Sequence, residues 1–292
     1  MATVTGAAAD FLAQQFEQNR ARLHGVAYRL LGSGAEAEDA VQEAWLRLSR
    51  ADAPGIENLS AWLTTVVSRI CLDQLRARAG RRETALEGAP ERETQAGRRD
   101  PEQEAALADA VGLALMVVLD RLAPAERLAF VLHDLFAVSF AEIASALGRS
   151  PEAARQLASR ARRRVRVGPR PGSAPLGRQR RLVETFLAAL RAGDLEAVIA
   201  VLDPNFAVTA DLPGGAAVHG ARAWAAQAMT FRAGARFTRP ALVNGEIGAV
   251  FAPRGKLARV LRFTFAGDRI AAMEVIGTPE RLRTLDIALA TP

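Results

Sequence analysis

The chain has very little cysteine, and it lacks long apolar runs, so several classes of protein can be set aside. A single cysteine, Cys71, excludes an internal disulfide framework and any zinc site built from several cysteines. The longest apolar runs, such as Leu113–Leu119, fall far short of the ~20 residues that span a bilayer. The opening segment, MATVTGAAADF, has no positive stretch before an apolar run and does not predict a secretory signal. We therefore expect a cytoplasmic protein without membrane segments.

Arginine, in contrast, is abundant and unevenly placed. The chain has 292 residues, half of them apolar, which is enough for two or more domains with cores of their own. The net charge is +6, and the segment 155–181 holds ten arginines and no acid. Lysine occurs only at position 256, so a compositional bias explains the choice of arginine over lysine but not the clustering. Such a cluster favours an anionic partner.

The segment SFAEIASALGRSPEAARQLASRARRRV, from Ser139 to Val165, predicts two short helices joined by a tight turn. Ser139 and Glu142 have capping-box spacing, and Gly148 supplies the turn. Ser150, Pro151 and Glu152 then begin a second helix with a hydroxyl cap, a proline at the first position and an acid in the first turn. This is the pattern of a helix-turn-helix, whose second helix enters the DNA major groove, although a purely structural helical hairpin gives a similar pattern. The arginines at the end of that helix suit phosphate binding.

Changes in pattern predict three modules. Residues 8–79 have helical periodicity, residues 80–104 read as a polar linker, and helical periodicity returns over 105–167. A Pro/Gly-rich linker, 168–177, leads to a module of mixed helix and strand pattern over 178–292. Its predicted strands are Phe206–Ala210, Gly248–Phe251, Leu257–Phe265 and Ile270–Ile276, with a hairpin turn at Gly267-Asp268 and a last helix over Pro279–Leu289. Two all-α modules followed by a curved antiparallel sheet with helices give an α+β third domain.

A helix that Ser33 begins presents two different faces. Ala37, Ala40, Val41, Ala44 and Leu48 form an apolar stripe, which is typical of a core face. On another face lie Asp39, Gln42, Glu43 and Leu46, at positions i, i+3, i+4 and i+7. An acidic face that carries a leucine favours docking to a basic helical partner, and a simply solvated face is the alternative.

Three stretches together carry a family resemblance. AEDAVQEAWLRL, then AWLTTVVSRICLDQLRAR, then LAPAERLAFVLHDLFAVSFAEIASALGRSPEAARQLASRARRRV resemble the extracytoplasmic-function (ECF) sigma factors of bacterial RNA polymerase, in order and in spacing. From about Arg180, LVETFLAALRAGDLEAVIAVLDPNF resembles the SnoaL-like (NTF2-like) domain that one ECF subgroup carries at its C-terminus. The resemblance implies an initiation factor made of sigma region 2, sigma region 4 and a cone-shaped α+β regulatory domain.

The resemblance also implies partners and site residues. Core RNA polymerase, through its β′ clamp and β subunits, and promoter DNA are the implied partners, together with an intramolecular contact of the SnoaL-like domain with the sigma domains. For the β′ coiled coil the implied residues are Asp39, Gln42, Glu43 and Leu46. For the −10 element, the loop 52–58 and the helix after it supply Asn58, Trp62, Arg69, Asp73 and Arg76. For the −35 element they are Arg149, Ser150, Glu152, Arg155, Gln156, Arg160 and Arg163.

The chain differs from its subgroup in some motifs. The usual Trp-Leu-Pro-Glu-Pro motif of the linker between the two sigma domains is reduced to Ala89-Pro90-Glu91. In the third module, Asp-Gly-Gly-Gly-Lys/Arg is loosened to a turn that holds Asp211, Gly214 and Gly215, and the terminal Asn-Pro-Asp-Lys-Leu survives as 278–282, which includes Pro279. We interpret Asp211, Gly214, Gly215 and Pro279 as residues of a regulatory-domain turn.

Two other functions compete with this interpretation. SnoaL-like folds include cyclases and isomerases, and the ionisable candidates here are Asp203, Asp211, His219, Asp268 and Glu274. An isomerase-type oxyanion hole needs a tyrosine, yet the only tyrosine, Tyr28, lies in the first module. A helix-turn-helix repressor is the second alternative, but a repressor has no need of the acidic docking face. We expect no catalysis, cofactor or metal, and the sequence leaves any small-molecule ligand of the third domain open.

Overall fold

A computed structural model of the chain describes residues 2–51, 56–85, 112–165, 176–211 and 217–290. These residues divide into two compact units. The first contains the described residues up to 85 together with 121–162, and the second contains 112–120 and the described residues from 163 onward.

Seven helices and one π-helical turn precede the C-terminal domain in the described part of the chain. In order, they are α1 (Ala2–Leu31), α2 (Gly34–Arg50), α3 (Leu59–Ala85), α4 (Leu113–Asp120), α5 (Pro124–Phe130), the π turn (Val131–Leu135), α6 (Phe140–Leu147) and α7 (Pro151–Val165).

The first unit is built on the bundle of α1, α2 and α3, in which each helix packs against the other two. The apolar stripe predicted on α2 is buried, and Leu23 and Val26 of α1 are fully buried as well. Helices α5 and α6 pack against α3, and the π turn packs against α1. The helix-turn-helix therefore rests on the three-helix bundle within one unit.

The second unit contains a seven-stranded mixed sheet. Its further helices are α8 (Leu176–Ala192), α9 (Leu195–Val201), α10 (Ala221–Ala228), α11 (Arg232–Ala235) and α12 (Pro279–Thr284). Its strands are β1 (Leu202–Ala210), β2 (Val218–His219), β3 (Thr238–Val243), β4 (Glu246–Phe251), β5 (Arg259–Ala266), β6 (Arg269–Ile276) and β7 (Ile287–Ala288). The strand order is β2-β1-β6-β5-β4-β3-β7, and every neighbouring pair is antiparallel except β1 with β6. The sheet is therefore mixed and not wholly antiparallel as expected from the sequence.

Both faces of this sheet bury apolar side chains. Phe206, Phe263 and Met273 belong to the core formed with Phe186 of α8 and Trp224 of α10. Helix α4 packs against β3 and β7 instead, and six of its eight residues are buried. A helix that is apolar nearly all round is stable only when other elements cover it, and here the sheet provides that cover.

The C-terminal segment differs from its prediction as one long helix over 279–289. Helix α12 ends at Thr284, and β7 then extends the sheet beside β3. Asn244, which has φ 52°, explains the change: its backbone N–H donates to the Asp286 carbonyl at 2.7 Å, and its side-chain oxygen accepts from the Asp286 N–H at 2.8 Å. These two bonds hold the chain in an extended form where a helix would need the same groups for itself.

Candidate functional site

Helix α2 presents the predicted polymerase-docking residues to solvent. Ser33 accepts a hydrogen bond from the Glu36 N–H at 3.4 Å and so begins the helix. Asp39, Gln42 and Leu46 are exposed, and Leu46 keeps 39% of its surface accessible. The Glu43 carboxylate, half exposed, pairs with Arg47 at 2.9 Å. The four side chains share a solvent-facing strip opposite the buried stripe.

A groove between α1 and α2 borders this strip. It has a volume of about 350 Å³, and its lining includes Phe16, Val41, Gln42 and Trp45. The rings of Phe16 and Trp45 lie with their centroids 5.0 Å apart. Trp45 therefore packs against the bundle, which is the more frequent role of a tryptophan on such a helix.

Helix α3 carries the residues predicted to contact the −10 element. The Asn58 side chain accepts from the Ala61 N–H at 3.0 Å and caps the helix, while Trp62 is half buried. Arg69, Asp73 and Arg76 are exposed along the helix. Residues 52–55 of the loop before α3 lie outside the described residues.

Arg69 has a partner that the sequence did not indicate. Its guanidinium donates to the Ser145 carbonyl near the end of α6 at 2.7 Å. Elsewhere in the same unit Arg127, only 2% exposed, donates from Nε and Nη2 to the Arg29 carbonyl at 3.2 and 3.1 Å. Arg29 in turn lies over the Phe136 ring at 5.0 Å. These contacts tie the helix-turn-helix to the bundle through polar groups that are far apart in sequence.

The helix-turn-helix itself forms as its sequence predicts. The Ser139–Glu142 capping box is complete, Gly148 closes α6 with φ 63°, and Ser150 accepts from the Ala153 N–H at 3.2 Å. Ala154, Leu157 and Ala158 bury the inner face of α7. All seven residues predicted for the −35 element are exposed: Arg149, Ser150, Glu152, Arg155, Gln156, Arg160 and Arg163.

Two arginines of α7 hold the helix in place. Arg160 pairs with Glu126 of α5, a carboxylate only 7% exposed, at 3.4 Å, and Arg162 pairs with Asp134 of the π turn at 2.7 Å. Arg155 pairs with Glu152 at 3.4 Å and lies over the Phe140 ring at 5.5 Å. Part of the arginine run is thus engaged within the domain, which the sequence alone did not reveal.

Asp211 in the C-terminal domain links the end of β1 to the start of α12. Its carboxylate accepts from the Gly277 and Thr278 N–H groups at 2.6 and 3.4 Å, from the Thr278 hydroxyl at 2.9 Å and from Arg281 at 3.1 Å. Burial of the carboxyl acts in the opposite direction, but these hydrogen bonds and the Arg281 charge hold the pKa of Asp211 below its ordinary value. The two surviving subgroup motifs, separate in sequence, therefore meet in one network. Pro279 occupies the first turn of α12, and Gly214 and Gly215 lie outside the described residues.

The other ionisable candidates for catalysis have separate surroundings. Asp203 accepts from the Asn205 N–H at 2.8 Å, His219 is exposed on β2, and Asp268 pairs with Arg178 at 3.2 Å. Glu274 shares Arg281 with Asp211. Within the described ranges no group of three or more His, Cys, Asp or Glu side chains is arranged to hold a metal. Of the five candidate residues, only Asp211 and Glu274 share a partner, because Arg281 forms an ion pair with each of their carboxylates.

The buried thiol is structural in character. Cys71 lies in the interior of the first unit, and burial raises the pKa of its thiol to about 12. It therefore stays protonated at neutral pH and behaves as a small apolar side chain.

Comparison with protein families identifies the class of protein. The sigma-70 region 2 model matches residues 15–81, and the sigma-70 region 4 model matches residues 112–165. These spans contain the residues predicted to bind polymerase, the helix predicted to contact the −10 element and the helix-turn-helix described above.

Similar full-length relatives then specify the family. The chain is 42% identical to the ECF RNA polymerase sigma factor SigJ of Mycobacterium tuberculosis over 91% of this chain and 92% of that protein. It is 34% identical to a probable ECF RNA polymerase sigma factor, SigI, of the same species over 94% of this chain and 96% of that protein. The crystal structure of M. tuberculosis SigJ matches with 36% identity and a TM-score of 0.44, covering 93% of this chain and 98% of that chain.

The chain therefore belongs to the ECF RNA polymerase sigma factors. The prediction of two helical sigma domains followed by an α+β domain is confirmed. Among the residues described, none of the helices combines the length and hydrophobicity needed to cross a bilayer.

Proposed function

We propose that the strip of Asp39, Gln42, Glu43 and Leu46 is where this sigma factor binds the β′ clamp of core RNA polymerase, with the β subunit as a further contact. The observation that carries the proposal is the separation of the two faces of α2. Its apolar stripe is buried, yet Leu46 is left in solvent among acids. An exposed apolar residue within a charged strip suits a basic helical partner, because charge directs the encounter and the leucine adds buried area.

Promoter recognition is divided between α3 and α7 in this proposal. Asn58, Trp62, Arg69, Asp73 and Arg76 would contact the −10 element, where a base leaves the stack as the duplex melts. The exposed side of α7 would enter the major groove at the −35 element, since Arg and Gln side chains suit bidentate contacts with base edges. The support is that these side chains are accessible on regular helices. Because polymerase and chromosome share the cytoplasm, we place the activity there.

The polymerase assignment is tested by reversing charge on α2. We expect the double variant Asp39→Lys, Glu43→Lys to lose co-purification with core polymerase while its circular dichroism stays unchanged, because both residues lie on the exposed side of the helix. The matched control is Glu184→Lys, Glu196→Lys, which makes the same charge change at one half-exposed and one exposed acid of the C-terminal domain. Undiminished capture of core polymerase by the α2 variant would remove the assignment.

The C-terminal domain is proposed as an attached regulator of promoter access. Within the first unit, the Arg69 guanidinium donates to the Ser145 carbonyl, so a DNA contact through that same donor would have to displace this bond. Helix α4, which lies within the region 4 match, packs on the sheet of the C-terminal domain. Polymerase and promoter would have to compete with such contacts. The contacts would therefore shift the equilibrium of the chain toward the arrangement it has when free.

Retained catalysis in the C-terminal domain is the weaker alternative. The side of the sheet that faces α8 and α10 is filled by the Phe186, Phe206, Phe263 and Trp224 rings, with centroids 5.2–5.9 Å apart in three contacting pairs. The candidate acids meet arginines or turn backbone as described above. This favours a binding or regulatory role over an enzyme.

A further inference from the structure

The C-terminal domain has a charge distribution that the sigma-factor function does not explain. Residues 212–267 contain eight lysines and arginines but a single acid, Glu246. These cations lie beyond the arginine-rich end of the helix-turn-helix and belong to a domain with no assigned DNA contact. Their placement on the sheet shows which of them are neutralised.

Some arginines of the domain meet carboxylates. The Arg262 guanidinium of β5 lies 3.2 Å from the Glu274 carboxylate and 3.8 Å from that of Glu246. Arg281 of α12 pairs with Glu274 and with Asp211. The positive charge of these two arginines is therefore largely balanced.

Where β4 ends and β5 begins, other arginines meet aromatic rings instead. Arg236 lies 4.6 Å from the centroid of Phe237, and Arg259 lies 5.8 Å from that of Phe251. The register pairs Phe251 with Arg259 on β5 and with Thr238 on β3, so these groups are neighbours. A cation over a ring is oriented but keeps its full charge.

This end of the sheet is contiguous with α11. The Ala252 N–H donates to the Phe237 carbonyl at 3.0 Å, and Gly234 of α11 lies against the Phe251 ring. Arg239 donates to the Arg236 and Thr238 carbonyls at 2.7 and 3.0 Å. We call the group Arg232, Arg236, Arg239 and Arg259, with Phe231, the basic end of the domain.

Three of the four arginines of the basic end are accessible. Arg232, Arg236 and Arg259 are exposed, and in the part of the chain that the structure describes none of these three has a carboxylate within ion-pair distance. Phe231 leaves 64% of its surface in solvent beside Arg232. Arginines held without counter-charge beside an exposed aromatic ring are the combination that binds phosphates together with sugars or bases.

We propose that the basic end binds the phosphate backbone of DNA and gives this sigma factor a second DNA-binding surface in addition to α7. The interaction is independent of base sequence, because guanidinium–phosphate contacts position a protein without reading bases. Each phosphate neutralised releases counterions, so this surface contributes to the salt dependence of DNA binding. The proposal does not depend on the −35 assignment of α7.

The test uses the full chain and a duplex of about three helical turns that lacks promoter sequence, in the absence of polymerase. The variant Arg232→Gln, Arg236→Gln, Arg259→Gln is compared with Arg178→Gln, Arg222→Gln, Arg283→Gln, which removes the same charge elsewhere in the domain. Fluorescence anisotropy from 50 to 300 mM salt gives the slope of log affinity against log salt concentration. We expect the first variant to lower that slope by up to about 2.7, at about 0.9 per phosphate, and to weaken binding roughly tenfold or more at low salt. The control should stay close to the wild type.

Two further variants separate the possible outcomes. The variant Arg232→Lys, Arg236→Lys, Arg259→Lys keeps the positive charge and should restore the slope of log affinity against log salt concentration. The variant Arg163→Ala reports on α7 alone. If it keeps the normal salt slope while the triple glutamine variant has a reduced slope, the result counts against the assignment of α7 to DNA and supports the basic end. Equal slopes for the triple variant and its control would overturn the proposal. Normal DNA binding combined with weaker capture of core polymerase would also overturn it, and would show that the basic end binds an acidic protein.

Discussion

At the residue scale, helix α7 uses some of its arginines as anchors and leaves other side chains exposed for the proposed contact with DNA. Arg160 and Arg162 are held by Glu126 and Asp134, whereas the Gln156 side chain projects from the helix in an exposed position. The residue types in the sequence predict DNA binding. They did not reveal that part of the terminal arginine run is bound by acids of the same chain, because these partner acids lie about 30 residues away in sequence.

Base readers and phosphate contacts on α7 should respond differently to substitution. We expect Gln156→Ala or Arg155→Ala to cost about 1–3 kcal/mol on the cognate −35 sequence and to relax specificity at one base pair. Arg163→Ala should weaken all sequences alike and lower the salt slope by about 0.9. Titrations of holoenzyme on cognate and single-base-substituted promoters at several salt concentrations measure both effects. Identical behaviour of the two kinds of variant would contradict the groove assignment.

The Asp211 network should make stability depend on acid pH. The folded-state pKa lies below the unfolded value of about 3.9, so the stabilisation is complete above that value and is lost as the pH falls through the folded pKa. We expect Asp211→Asn to lower the free energy of unfolding of the C-terminal domain by about 1–3 kcal/mol at pH 7, since it weakens hydrogen bonds to a charged group. Thermal unfolding of wild type and variant from pH 3 to 7 checks this. The difference should shrink toward pH 3, and a difference that is constant with pH would show that the charge is not involved.

At the element scale, the sequence predicted what local chemistry determines. The caps at Ser33, Ser139 and Ser150 and the hairpin turn at Gly267 lie where expected, because each depends on neighbours a few residues away. Strand β3 was missed, since its Pro240 argues against a central strand although β4 and β7 flank it. Strand β7 was taken for helix because its partner Asn244 lies some 40 residues earlier in the chain.

The turn between α6 and α7 allows a test of whether its backbone conformation requires glycine. Gly148 has φ 63°, and a methyl group added there would meet no atom within 4 Å. Gly148→Ala should therefore cost about 1–2 kcal/mol through backbone strain alone and lower −35 binding only in proportion to the unfolded fraction. Gly34→Ala is the matched control, because Gly34 also has open space but is the first residue of α2 and has no positive φ, so alanine there should be neutral or stabilising by up to about 1 kcal/mol. Chemical denaturation of both variants measures the contrast, and equal costs would show that the turn conformation is not what requires the glycine.

At the scale of the whole molecule, the compact units divide the chain differently from the three predicted modules. The region 4 match spans 112–165, but α4 and the last residues of α7 cluster with the C-terminal domain. The Leu289 N–H donates to the Val165 carbonyl at 3.3 Å, which joins the end of α7 to the segment after β7. Sequence periodicity marks helices and linkers, but it carries no information on which sheet a distant apolar helix will cover.

Removing the C-terminal domain should therefore destabilise region 4 as well as end its attachment to that domain. A chain cut after Gly177 loses the sheet beneath α4, so the buried side chains of Leu113, Met116 and Val117 would meet water. At about 25 cal/mol per Å² of apolar surface, exposing several such residues costs several kcal/mol, which is comparable to the stability of a small domain.

We expect the truncated protein to bind a hydrophobic dye, to aggregate more readily and to give much less run-off transcript with core polymerase. In the full chain, Val117→Ser should reproduce the dye binding in milder form without any truncation. A truncated chain with wild-type run-off yield and no dye binding would show that α4 finds equivalent cover elsewhere and that the C-terminal domain is dispensable for initiation.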